Sequence, residues 1–129
     1  HCFGWMTSLI PMYLKTTYKD DPIFTNTKVV YSVAKNQFTD KLKNDFTTKL
    51  AISEDISKKH IEYFKAGDNS SLNIAGSQFA DGLVLGDSLD EKVSSHVKKA
   101  KGKQVLRMNS NEEDPLSLLN QFYQNILAN

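Results

Sequence analysis

The stretch HCFGW, His1 to Trp5, holds the two side chains of this sequence best suited to gripping a polar ligand. An imidazole exchanges hydrogen bonds with hydroxyls, and an indole offers a flat face on which a sugar ring can stack. His1 and Trp5 are therefore the candidate substrate-binding residues. Core packing of Trp5 at the start of a helix stands beside that reading with equal weight.

The remaining motifs exclude more than they suggest. His1, His60 and His96 lie far apart, and none has a second His or Cys at metal-ligand spacing, so no metal site is expected. There is no Asp-x-Asp, no P-loop, no G-x-G-x-x-G and no G-x-S-x-G nucleophile elbow. Cys2 reads as a buried, inert thiol. The turn in GLVLGDS (residues 82–88) resembles a phosphate-holding helix start, but an ordinary strand-to-helix turn fits better, and Asp87 would repel an anion there. KKAKGK (98–103) reads as a solvated helix end. No residue of this chain is assigned a catalytic role, and no cofactor is expected.

These residues need elements to position them. Met6, Leu9, Ile10, Tyr13, Leu14 and Thr17 recur at helical spacing and predict a first helix beginning near Thr7 or Ser8, with Pro11 in its first turn. KVVYSVA (28–34) is a short β-branched run that reads as a strand buried on both faces. A short helix is expected around Asp40–Asp45, another from Ser57 to Gly67, and a third over NSSLNIAGSQFA, with Leu72, Ile74, Ala75, Phe79 and Ala80 facing inward. GLVLG (82–86) is a second buried strand. Ser88 and Glu91 have capping-box spacing for a helix running to about Ala100. KQVLRM supplies a third strand. Asp114 and Pro115 open a last helix that turns Leu116, Leu119, Phe122, Tyr123 and Ile126 inward.

Strands alternating with helices define an α/β class: a Rossmann-like parallel sheet flanked by helices. The first helix has no strand before it, so a strand ending just before His1 is expected, and the chain reads as cut on its N-terminal side. HCFGW then lies at the C-terminal edge of the sheet, where ligands bind in open α/β folds. With 129 residues the chain is a single domain. A net charge of +1 gives no reason to expect nucleic acid or an anionic membrane as partner. No apolar run approaches the roughly 20 residues of a membrane span, and the one cysteine permits no internal disulfide. A cytoplasmic setting follows by elimination.

The residues HCFGWMTSLIPMYLKTTYKDDPIFTNTKVVYSV resemble the middle of the N-terminal catalytic domain of bacterial glycogen and plant starch synthases, and AGSQFADGLVLGDSLDEKV is similar to a later stretch of it. The resemblance is strong over residues 1–34 and weak over 35–70. It implies half of a GT-B-type lobe, and retaining transfer of glucose from ADP-glucose to the end of an α-1,4-glucan in glycogen biosynthesis. His1 takes the place of the first His of the family's His-x-His-Asp-Trp stretch, and Trp5 that of its Trp. Phe3 stands where the second His is usual, and Gly4 where an Asp that matters for activity is expected. Ala34 falls where a His is expected, and Ser88-Leu89 replaces Ser-Pro. The family's Lys-x-Gly-Gly donor loop and second lobe lie outside these residues. The resemblance therefore implies that the chain alone does not turn over. The alternative is a catalytically inactive single-lobe relative that binds glucan or a protein partner.

Overall fold

The computed structural model describes residues 1–33, 35, 38–43 and 45–129. Strands β1 (Cys2–Phe3), β2 (Val30–Val33), β3 (Gly82–Leu85) and β4 (Gln104–Arg107) form one sheet in the order β1-β2-β3-β4. All three neighbouring pairs are parallel, with Cys2 opposite Tyr31, Val30 opposite Gly82 and Gly82 opposite Gln104. The three strands expected from the sequence are present as parallel neighbours. The strand expected to end just before His1 is found instead at Cys2–Phe3, so the CF of HCFGW is itself strand.

Every residue of β2 and β3 is buried, because helices cover both faces of the sheet. Side chains alternate along each strand. Tyr31, Val33, Leu83 and Leu85 pack with Val93 and Val97 of α4 (Glu91–Lys99). Val30 and Val84 pack with Phe122 and Ile126 of α5 (Pro115–Leu127). A third cluster lies farther out, where Met12 of α1 (Leu9–Lys15) meets Leu72 and Ala75 of α3 (Asn69–Phe79) together with Leu50, Ile56 and Phe64.

The helix starts follow from capping chemistry. Asp68 accepts from the Ser71 N–H at 2.7 Å, and Ser71 Oγ accepts from the Asp68 N–H at 3.1 Å, a reciprocal box that opens α3. Asp114 accepts from the Ser117 N–H at 3.1 Å, with Pro115 in the first turn of α5. Ser57 caps α2 (Lys58–Glu62), which ends at Glu62 and gives way to turns before Gly67.

Four local expectations are corrected. The inward face of α1 is Ser8, Pro11, Met12 and Thr16, while Met6 and Ile10 are exposed. A 3₁₀ turn at Trp5–Thr7 precedes α1 and shifts the phase that an unbroken helix would have. No helix spans the described residues of 40–45; a 3₁₀ turn follows at Phe46–Lys49 instead. The cap of α4 is Asp90, which accepts from the Lys92 N–H at 2.8 Å, because Ser88 is turned to φ 57° and lies outside the helix entry. Leu116 is exposed, one turn too early on α5 to reach the sheet.

Candidate functional site

The C-terminal ends of the strands open into a cleft of about 420 Å3. β1 contributes the flanking His1 and the exposed Phe3, β2 contributes Ser32, Val33 and the following Lys35, and β3 contributes Val84 and Gly86. Met108, after β4, and Leu119 of α5 complete the lining. Most of this wall is apolar, and the Ser32 hydroxyl, the His1 ring and the Lys35 ammonium supply its polar groups. No carboxylate lines it among the described residues.

His1 is held from two sides. Its Nε2 lies 2.6 Å from Ser32 Oγ, and its Nδ1 lies 2.5 Å from the Tyr123 hydroxyl. The two rings meet edge to face, with centroids 5.7 Å apart. Both ring nitrogens are thus engaged by the protein. Ser32 reaches His1 because it is the one polar residue of β2 and points to the α5 side of the sheet, opposite to its neighbours Tyr31 and Val33.

Trp5 stands two residues beyond Phe3 and outside the cleft lining. It is half-buried, packs on the outer cluster around Met12, and lies 4.6 Å from the Phe38 ring. The structure therefore sets His1 in the cleft and Trp5 beside it. Ala34, where the family resemblance expects a His, lies outside the described residues.

Gly4 turns the chain from β1 into the 3₁₀ turn with φ 68° and ψ −178°, a conformation essentially restricted to glycine. Its N–H donates to Ser32 O at 3.0 Å, and its carbonyl accepts from the Tyr31 hydroxyl at 2.8 Å. Burial raises the affinity of that hydroxyl and of the Cys2 thiol for their protons, so both stay neutral beneath the loop. A second hollow, of about 560 Å3, lies at the opposite edge of the sheet, around Lys28, Asp81 and Lys103. Its central charges are already engaged. Asp81 pairs with Lys15 at 2.7 Å, and Lys103 donates to the carbonyls of Gln78 and Ala80. Sequence reasoning passed over Phe3 and Ser32 as cleft residues and Tyr123 as a partner of His1. A lone hydroxyl near the end of an apolar strand was the available signal for Ser32.

A parallel α/β sheet with its cleft at the strand C-termini defines the class, a Rossmann-like lobe, and in open α/β sheets that edge is the usual place for a ligand. Residues 1–87 match the family model of the starch synthase catalytic domain, and the chain belongs to that family. It is similar to the glycogen synthase of Thermotoga maritima, 52% identical over 33 residues, which cover 26% of this chain and 7% of the relative. The glycogen synthase of Chlorobium limicola is 29% identical over 84 residues, covering 65% of this chain and 16% of the relative. That of Moorella thermoacetica is 27% identical over 74 residues, covering 52% and 15%. The chain thus spans a small part of the length of these relatives. No solved structure gives a significant match. No helix among the described residues is long and apolar enough to cross a membrane.

Proposed function

We propose that this chain is part of the N-terminal lobe of a cytoplasmic glucosyltransferase that moves glucose from a nucleotide sugar, ADP-glucose by family resemblance, to an α-1,4-glucan in glycogen biosynthesis. Its part in that reaction is to bind. The observation that carries the reading is the cleft at the C-terminal edge, built mostly from residues within the family match, with Met108 after β4 and Leu119 of α5. A pyranose has an apolar face and a rim of hydroxyls. Phe3, 61% exposed, offers the apolar platform, and Ser32, the His1 cluster and Lys35 offer the rim. His1 acts through that cluster, and Trp5 contributes the exposed part of its ring on the outer side of the same edge.

Transfer requires a donor clamp, electrostatic support for the leaving group and an aligned acceptor in one closed site. The described lining offers one wall of such a site. The full-length protein is expected to incorporate labelled glucose from ADP-glucose into glycogen, while the 129-residue chain incorporates none. A second reading, an inactive relative that binds glucan or a protein, is favoured by Gly4, whose backbone is shaped for glycine where the resemblance expects an Asp. Glucan binding by the full-length protein without glucose transfer would select it. Absence of both glucan binding and transfer would contradict the first reading and leave only the protein-binding form of the second.

A further inference from the structure

We infer that Tyr123 is a positioning residue that fixes the tautomer of His1, with Nδ1 accepting from the Tyr123 hydroxyl and Nε2–H donating to Ser32, so that the proton of Ser32 is left free to donate into the cleft. A neutral imidazole has one donor and one acceptor nitrogen. Its two partners here are both hydroxyls, 2.5 Å from Nδ1 and 2.6 Å from Nε2, so two proton arrangements compete. They are not equivalent. A phenol O–H is a stronger donor than an alkyl O–H, and the phenol oxygen, whose lone pair is drawn into the ring, is the weaker acceptor. The favoured arrangement has the phenol giving its proton and the serine oxygen receiving one. Ser32 then accepts from His1 and retains its own O–H for another acceptor.

The supports of this chain are rigid. Ser32 is 6% exposed in a strand paired on both sides. Tyr123 is carried by α5, whose neighbouring Phe122 and nearby Ile126 are buried against Val30 and Val84. Helix α5 lies beyond residues 1–87, so the family match does not contain the residue that orients His1. The ligand class rests on the proposed glucan reading: an oxygen acceptor of a sugar, a ring or hydroxyl oxygen, meets the Ser32 proton. The tautomer does not depend on that reading.

Long-range 15N–1H correlation spectra of the full chain labelled in histidine test this directly. The His1 signals are assigned against single His60→Gln and His96→Gln variants. The expected result is a pyridine-type Nδ1 and a pyrrole-type Nε2 for His1. Tyr123→Phe, which keeps the ring that packs beside His1 and removes the hydroxyl, should shift His1 to a mixture of both tautomers. A pyrrole-type Nδ1 in the unmodified protein would overturn the inference without recourse to any variant. So would a tautomer ratio that Tyr123→Phe leaves unchanged. The readout needs no ligand. The expected tautomer in a protein that binds no maltooligosaccharide supports this inference while contradicting the glucan reading, and the opposite pair of results does the reverse.

Discussion

Replacing Gly76 by Ala should destabilise the protein, against the usual effect of that change in a helix. In an exposed helix interior, Gly→Ala gains about 1 kcal/mol. At position 76 of α3 the new methyl would lie 2.6 Å from Cζ and 2.7 Å from Cε2 of Tyr31. The ring has nowhere to go. Tyr31 is fully buried in β2, and its hydroxyl is tied to the Gly4 carbonyl at 2.8 Å and to Asn73 Oδ1 at 3.1 Å. Overpacking of this kind costs about 1–3 kcal/mol. Two ring contacts under 3.0 Å on a pinned side chain put the cost in the upper part of that range, about 2–3 kcal/mol, which set against the helix gain leaves a net loss of roughly 1–2 kcal/mol and lowers Tm by roughly 4–8 °C for a domain of this size. Thermal unfolding of the 129-residue chain followed by Trp5 emission measures it. Because Tyr31 braces the Gly4 carbonyl, the same variant should also loosen the turn at the ligand edge. The double variant with Tyr31→Leu, which makes room for the methyl, should lose less than the two single changes added together. A Gly76→Ala protein as stable as the parent, or more so, would refute this packing argument.

Gly4→Asp, which installs the carboxylate that the family resemblance expects, should cost about 1–3 kcal/mol, because an L-residue is strained at φ 68° and ψ −178°; an unchanged unfolding midpoint would contradict it. Burial, reinforced by the charges of Lys103 and Lys99, holds the His96 imidazole below its ordinary value of 6.5. The folded protein therefore declines a proton that the unfolded chain accepts, and stability should fall as the pH drops below 6.5, a slope that His96→Gln flattens. Burial raises the Cys2 thiol above its ordinary value, so alkylation at pH 8 should be slow in the native protein and fast after unfolding; equal rates in the two states would show that the thiol is not shielded.

The sheet was legible in the sequence because β2 and β3 are buried on both faces, and burial on both faces leaves near-continuous apolar runs. The last helix was legible from Asp114-Pro115, where cap and first turn are written in adjacent residues. The phase of α1 was not. Met6 and Ile10 fit a helical stripe that begins at Met6, but the Gly4 turn and the 3₁₀ turn after it reset the rotation, and no local pattern records that reset. Ser88 and Glu91 had the right spacing for a capping box, yet Ser88 takes up a left-handed turn and Asp90 does the capping. At the site, the edge that HCFGW occupies was legible from the strand-to-helix order. Its partners were not. Tyr123 reads as one more apolar position of α5, and its meeting with His1 across 122 residues depends on how that helix crosses the sheet.

The central claim is that the C-terminal-edge cleft binds glucan, and amide chemical-shift mapping during a maltooligosaccharide titration tests it most directly. Aromatic stacking beyond simple burial is worth about 0.5–1.5 kcal/mol, so Phe3→Ala should weaken binding by roughly two- to tenfold. The account predicts shifts centred on Phe3, Ser32, Gly86 and Met108, with Trp5 at their margin and the Phe3→Ala variant binding more weakly. A flat titration of folded protein, or shifts centred on Lys28, Asp81 and Lys103 at the opposite edge, would contradict it.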